Sequence, residues 1–115
     1  MHAFGLNRSE LFTRLGYSPN VKLPRILGIE ATGTVAECPG GEFQKDEVVM
    51  TCMGGLGREV DGGYADYTVA PAIAVAHIPD ELTFEEASPL MCAGLFYTTP
   101  RTTTQNNALL KVLLT

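Results

Sequence analysis

Short apolar runs separated by glycine and proline make up most of this chain. Its 12 glycines and 7 prolines lie in clusters between runs rich in β-branched residues. The longest run spans Ile26 to Cys38, and a second, Glu47 to Met53, follows the turn Pro39-Gly40-Gly41. β-branched residues favour extended backbone, whereas Gly and Pro favour tight turns. The pattern therefore predicts several short strands, as in a sandwich or a small barrel.

Two further segments are predicted to be strands. Tyr64 to Val69 alternates between two faces, as a half-buried strand does, and Ala74 to Ile78 follows after a proline. The glycine-rich segment Gly54 to Gly63 predicts a mobile loop. Ala108 to Leu114 is apolar but short, so the pattern allows either a terminal strand or a helix.

One helix is indicated near the C-terminal third of the chain. Thr83 and Glu86 have the spacing of a capping box, in which each side chain satisfies a backbone N–H of the other residue. The helix is expected to end near Phe96, with Pro89 inside it removing one hydrogen bond and bending the axis. The polar stretch Thr98 to Asn107 is interpreted as a loop or tail.

Composition and charge narrow the functional classes. With 115 residues, 45% of them hydrophobic and 18% charged, the chain has the size and composition of one globular domain. A net charge of −5 with only 8 basic residues disfavours nucleic-acid binding, which depends on Lys and Arg neutralising phosphates. No signal peptide and no apolar run of about 20 residues is visible. We therefore expect a cytoplasmic chain.

The cysteines and histidines do not form a recognisable metal site. The three cysteines are an odd number without a Cys-x-x-Cys pair, which indicates free thiols in a reducing cytosol. The two histidines, His2 and His77, lack helical ligand spacing, and His77 is interpreted as a surface or structural residue. Nothing near Cys52 or His77 in sequence would activate a nucleophile.

A dinucleotide loop is not supported by the glycine-rich segment. Such a loop needs Gly-x-Gly-x-x-Gly at the start of a helix. Counted from Gly55, the sixth position is Val60, and the following Asp61-Gly62-Gly63 cannot open an amphipathic helix. We therefore do not expect this segment to bind a nucleotide.

Two single residues are candidates for chemistry. Glu30 stands inside an apolar run, so its carboxylate is either on the solvent face or buried with partners that offset desolvation. Tyr17 lies in a Gly-Tyr-Ser-Pro loop, where an exposed phenol could donate a proton. From the residues alone, a packed loop aromatic is the favoured interpretation of Tyr17.

A series of segments in order along the chain is similar to one known family. The segments are AFGLNRSE, LGYSP, LPRILGIEATGTV, DGGYADYTVAP, HIPDELTFEEASPL and CAGL. Ala3 to Gly94 resembles the catalytic, GroES-like domain of medium-chain dehydrogenases/reductases, most closely the zinc-free quinone oxidoreductase-like branch. The resemblance implies a mainly β fold with a C-terminal helix, a partly open GroES-like barrel over residues 1–97, and a divergent tail over residues 98–115.

The resemblance also implies a reaction. It is NADPH-dependent hydride transfer to a quinone, an enone or an enoyl thioester. Tyr17 is then the candidate proton donor, and Asn7 lies close to the nicotinamide or the substrate. The remaining matched positions, Ser9, Glu30 and Cys92, line or support the cleft.

Zinc is not expected. In zinc-dependent members the position of Asn7 holds a cysteine ligand and that of Ile29 a histidine ligand. Asn is a poor zinc ligand and Ile cannot coordinate a metal. Cys92 falls near the third ligand position, but one ligand does not make a site.

Departures from the family set the competing hypotheses. No Rossmann half with a glycine fingerprint is visible, and the glycine of the family is missing from the turn Lys45-Asp46-Glu47. The leading hypothesis is a truncated substrate domain, inactive alone. The alternative is a non-catalytic β module that self-associates or pairs with a partner through an open sheet edge. A third hypothesis is that a separate chain supplies the Rossmann half.

Overall fold

A computed structural model describes the backbone of residues 1–97 and 111–114 and the side chains of residues 1–90. It contains two α-helices, α1 (Arg8–Arg14) and α2 (Phe84–Tyr97), and one 3-10 turn (Ala72–Ala74). The strands are β1 (Glu30–Glu37), β2 (Val48–Cys52), β3 (Thr68–Pro71), β4 (Val75–His77) and β5 (Lys111–Leu114). The prediction of a mainly β fold with a C-terminal helix is confirmed.

The five strands form one sheet in the order β3-β5-β1-β2-β4. Every pairing in it is antiparallel. The β1–β2 register runs from Glu30 opposite Cys52 to Thr34 opposite Val48. β5 settles the interpretation of the last apolar segment in favour of a strand, while residues 98–110 lie outside the described part of the chain. The domain division at residue 97 stays a prediction.

The core lies between the strands and the glycine-rich segment. Its buried cluster consists of one apolar residue each from β1, β2, that segment, β3 and β4: Val35, Val49, Leu56, Ala70 and Val75. Leu56 is 1% exposed, and burial of a leucine side chain contributes roughly 1.5–3 kcal/mol. The glycine-rich segment is therefore anchored in the core through Leu56, and its mobility stays a prediction.

Close contact between backbones explains the glycines. A Cβ added at Gly62 would lie 2.3 Å from the carbonyl oxygen of Gly28, and one added at Gly63 would lie 2.5 Å from that of Glu30. Gly57 also packs on the backbone of Gly28. Only residues without a side chain allow the segment after residue 56 to cross the entry to β1 at this distance.

The same crossing corrects two predicted strands. Gly62 and Gly63 donate hydrogen bonds to the carbonyls of Ile26 and Gly28, and Tyr64 donates to that of Leu27. These bonds hold both segments outside the sheet. As a result β1 begins at Glu30 rather than residue 26, and the strand predicted over residues 64–69 instead occupies Thr68–Pro71.

The capping box of α2 forms as predicted. The Thr83 N–H donates to Oε2 of Glu86 at 3.0 Å, and the Glu86 N–H donates to Oγ1 of Thr83 at 3.2 Å. α2 extends to Tyr97 with Pro89 inside it. The Thr32 hydroxyl, within 3.2 Å of the Phe84 carbonyl oxygen, connects the start of α2 to β1.

The turn between β1 and β2 contains a conformation that glycine usually adopts. Asp46, in the turn where the family resemblance led us to expect a glycine, has a φ of 69°. Its N–H donates to the Val35 carbonyl at 2.8 Å, which holds it in place. The next residue, Glu47, contacts Nε2 of His77 at 3.1 Å. His77 is exposed at the end of β4, and Glu47 is its structural partner there.

Both outer strands of the described sheet are short. β3 has four residues and ends at Pro71, which has no N–H to donate, and β4 has three. Short edges and proline both weaken the addition of a further strand. Self-association through an edge stays a prediction, to be tested by sedimentation. In the described residues, no helix has the length and apolar character of a membrane span.

Candidate functional site

A buried carboxylate lies where α1, the entry to β1 and the glycine-rich segment meet. Glu10 is 4% exposed. Its Oε2 accepts a hydrogen bond from the backbone N–H of Asn7 at 2.8 Å, and its Oε1 accepts one from the N–H of Ile29 at 2.7 Å. The phenol of Tyr64 donates a third bond to Oε2. One side chain therefore connects three segments that are distant in sequence.

Local sequence explains how Glu10 reaches this position. Asn7 is extended and ends the preceding segment as the N-cap of α1, and Glu10 is the third helical residue. That spacing is a capping box, in which the glutamate turns back toward the cap. Tyr64 is positioned by the backbone crossing, where its N–H donates a hydrogen bond to the Leu27 carbonyl at 2.9 Å.

Glu30, the first residue of β1, adds a second buried carboxylate. It is 2% exposed, so the sequence alternatives resolve in favour of burial. Gly5 leaves room for it, because a Cβ at Gly5 would lie 1.7 Å from Oε1 of Glu30. The two carboxylates together make this region of the protein electronegative.

The phenol of Tyr64 responds to that environment. Burial raises its pKa well above the ordinary value, and the hydrogen bond to Glu10 and the charges of Glu10 and Glu30 raise it further. Each of these effects disfavours the phenolate. Tyr64 therefore keeps its proton at neutral and moderately alkaline pH and acts as a donor.

A small hollow opens beside this cluster. Its volume is about 230 Å³, and its lining combines apolar side chains with the polar cluster: Leu6, Asn7, Glu10, Leu11, Arg14, Leu27 and Tyr64. Tyr64 also lines a neighbouring hollow of about 400 Å³ together with Phe4, whose ring centroid lies 4.7 Å from that of Tyr64. An apolar wall with a few convergent polar groups is the usual composition of a small-molecule site.

The structure brings some of the predicted site residues together. Asn7 lines the small hollow, and the Ser9 hydroxyl lies 3.4 Å from the Asn7 side-chain oxygen. Glu30 lies against Gly5 and close enough to Tyr64 to affect its pKa. The roles given to Asn7, Ser9 and Glu30 stay predictions.

Tyr17 lies elsewhere. It is 72% exposed, its ring centroid is 6.2 Å from that of Phe12, and it lines a separate hollow of about 320 Å³ that includes Arg58 and Glu59. Its assignment as the proton donor stays a prediction. The side chain of Cys92 lies outside the described part of the structure.

Sequence reasoning missed Glu10 and Tyr64. Asn7 and Glu10 have the same spacing as Thr83 and Glu86, so the capping-box pattern could have located Glu10. No local signal identifies Tyr64, because its importance comes from a contact with a residue 54 positions away.

The glycine-rich segment does not fit a nucleotide pyrophosphate. The N–H groups of Arg58, Glu59 and Val60 donate to the Gly55 carbonyl, and that of Leu56 donates to Met53. Those of Gly62 and Gly63 donate to Ile26 and Gly28. A phosphate loop needs such groups directed at the ligand. The described residues therefore lack a dinucleotide loop at this segment.

The described residues also offer no donor set for zinc. In that part of the chain, no group of three or more His, Cys, Asp or Glu side chains could hold a metal ion. The two positions that the resemblance matches to zinc ligands, Asn7 and Ile29, instead share Glu10 as the acceptor for their backbone N–H groups.

A larger hollow of about 460 Å³ runs along β3. It is mainly apolar and has two carboxylates in its lining, Glu59 and Asp61. Asp61 pairs with Arg25 at 3.2 Å on the surface. This hollow has no buried polar cluster comparable to that around Glu10.

Comparisons with known proteins agree with the fold. Residues 1–80 match the model of the alcohol dehydrogenase GroES-like domain. An alcohol dehydrogenase of Geobacillus stearothermophilus is 36% identical, over 81% of this chain and 35% of its own length. A quinone oxidoreductase of Pseudomonas aeruginosa is 34% identical, over 81% of this chain and 28% of its own length.

A solved structure has a similar fold. The yhdH oxidoreductase from Salmonella enterica, crystallised in complex with NADP, superimposes with a TM-score of 0.73 at 24% identity, over 81% of this chain and 29% of that one. The chain thus spans about a third of the length of the curated relatives that it matches.

Proposed function

Because this chain belongs to the alcohol dehydrogenase GroES-like domain family, we propose that it forms the substrate-binding part of an NADPH-dependent oxidoreductase. The proposed substrate is a quinone, an enone or an enoyl thioester. Relatives named as quinone oxidoreductases and the NADP of the Salmonella structure support this choice. We also propose that the protein lies in the cytoplasm.

The observation that carries the proposal is the polar cluster at the small hollow. Apolar side chains would contact the ring or the carbon chain of the substrate, and the Asn7 amide would bind its oxygen. Tyr64, held by Glu10, forms one wall. Tyr17 is proposed as the proton donor from the family resemblance alone, because it lies in a hollow separate from the one at Asn7.

NADPH, when bound, supplies the hydride. The bonded N–H groups of the glycine-rich segment are directed at backbone carbonyls and not at a pyrophosphate, so we propose that the reaction uses a nucleotide-binding domain in addition to the described residues. We propose that the chain binds substrate by itself and does not oxidise NADPH by itself.

Titration calorimetry with 1,4-naphthoquinone tests the binding step. Asn7→Asp is the informative variant because Asp caps a helix as well as Asn does, yet it removes the amide donor. We expect the variant to keep the helix cap and to bind the quinone more weakly. Because the new carboxylate lies near that of Glu10, its free energy of unfolding is measured beside its affinity. A wild-type chain that binds neither 1,4-naphthoquinone nor a simple enone would refute the proposed substrate class.

Nicotinamide absorbance tests the second step. We expect no NADPH oxidation when the chain is mixed with NADPH and 1,4-naphthoquinone. Turnover by the chain alone would contradict the requirement for a further domain.

A further inference from the structure

The hydrogen bonds of Glu10 converge from three directions. Its two carboxylate oxygens accept from Asn7 at the start of α1, from Ile29 at the entry to β1 and from the phenol of Tyr64. We infer that Glu10 is a positioning residue: it holds these three groups in the one arrangement that binds substrate. This inference rests on the proposed function.

Only a glutamate meets the geometric requirements. Ile29 bonds one carboxylate oxygen, and Asn7 and Tyr64 bond the other, so both oxygens must be acceptors. Glutamine offers one acceptor and would direct an NH₂ group at another N–H. Aspartate is one methylene shorter and cannot span the same distances from the helix.

Burial makes this arrangement sensitive to the loss of the carboxylate. At 4% exposure, Glu10 is closed to the water that would otherwise replace its bonds. Removing one acceptor oxygen leaves a buried N–H unsatisfied, which is more unfavourable than losing an exposed bond. The segments carrying Asn7 and Ile29 would then move to find other partners.

Such movement would change the hollow. Asn7, Glu10 and Tyr64 supply the hydrogen-bonding atoms of the 230 Å³ hollow, together with the more exposed Arg14. Tyr64 also lines the adjacent 400 Å³ hollow, next to the ring of Phe4. A displaced Tyr64 would change the shape of both, so Glu10 sets the size of the site by holding Tyr64 in place.

Glu10→Gln tests the inference, with Glu86→Gln as its matched control. Glu86 occupies the same capping-box position in α2 but is exposed, and it lies outside the site. For Glu10→Gln we expect the affinity for 1,4-naphthoquinone to fall by about tenfold or more, since a buried charged acceptor is lost. For Glu86→Gln we expect unchanged affinity. Wild-type affinity in a folded Glu10→Gln variant would overturn the inference.

Amide hydrogen exchange tests the same inference without any ligand. In the wild type we expect slow exchange at the N–H groups of Asn7 and Ile29, because both are bonded to Glu10. In Glu10→Gln at least one of them should exchange much faster, whereas Glu86→Gln should leave both unchanged. Exchange that does not depend on Glu10 would overturn the inference.

Tyr64→Phe keeps the test decisive if Glu10→Gln does not fold. This variant removes one bond of the three and leaves those to Asn7 and Ile29 in place. We expect weaker quinone binding with slow exchange retained at both residues, and unchanged binding would contradict the inference. If the wild type binds no quinone, the proposed substrate class fails, and the exchange data alone then decide the role of Glu10.

Discussion

Gly62→Ala is expected to be among the most destabilising alanine substitutions in this fold. The added Cβ would lie 2.3 Å from the Gly28 carbonyl oxygen and 2.6 Å from that of Leu27. Both are backbone atoms, so no side-chain rotation relieves the contact, and the two segments must separate by close to 1 Å to restore normal van der Waals spacing.

The magnitude follows from the hydrogen bonds at the crossing. Three of them connect the two segments, namely Gly62 to Ile26 at 2.9 Å, Gly63 to Gly28 at 3.0 Å and Tyr64 to Leu27 at 2.9 Å. At about 1 kcal/mol each, their loss predicts a decrease of about 3 kcal/mol in the free energy of unfolding. For a domain of this size the midpoint of thermal unfolding should fall by roughly 10–25 °C.

Urea unfolding followed by far-ultraviolet circular dichroism measures the effect, since the chain has no tryptophan. Gly41→Ala is the control: it has a φ of 78° but no atom within 4 Å of the added Cβ. The control therefore carries only the left-handed backbone penalty of about 1–2 kcal/mol. A loss at Gly62 no larger than that at Gly41 would refute the close crossing.

Three further predictions concern titration and the turn before β2. In the folded protein, Tyr64→Phe should leave the tyrosinate absorbance change up to about pH 11 the same as in the wild type, because Tyr64 keeps its proton there. In denaturant all 4 tyrosines titrate near their ordinary pKa of about 10, so the variant should lose one quarter of the change. A smaller change in the folded variant than in the folded wild type would show that Tyr64 ionises normally. Asp46→Gly should not destabilise the fold, because glycine adopts a φ of 69° without strain. Lys45→Gly is the control without a positive φ, and it should reduce the free energy of unfolding by about 0.4–1 kcal/mol. Equal losses in the two variants would contradict a strained φ at Asp46. The pKa of Glu47 is lowered by its bond from the Gln44 N–H and by His77, so its contribution to stability is present above the unfolded pKa of 4.5 and is lost as pH falls below it. Glu47→Gln should therefore flatten the dependence of the urea midpoint on pH in that acidic range, and an unchanged slope would exclude the contribution.

Much of the fold could be predicted because the signals are local. The β-branched runs predicted β1 and β2 to within a few residues, and the capping box at Thr83 located the start of α2. The order of the matched segments indicated the family. None of these inferences needs to know which distant residues meet, because each depends on neighbours in sequence.

What the local signals did not predict has a shared cause. The strand predicted from Tyr64 had the correct alternation, but the backbone crossing takes up the hydrogen bonds that a strand would need there. The glycine-rich segment had the composition of a mobile loop, and only its close packing against residues 27–30 shows why Gly57, Gly62 and Gly63 have no room for a side chain. Contacts between distant segments decided both cases.

By itself, then, the sequence determined the family and the mainly β class, and it led us to predict a zinc-free site from Asn7 and Ile29. The tertiary structure alone decided that Glu30 is buried, that Glu10 and Tyr64 meet beside Asn7, and that Tyr17 lies in another hollow. The physical reason is distance along the chain: capping and strand propensity act over a few residues, whereas the partners of a buried carboxylate are selected by how the whole backbone packs.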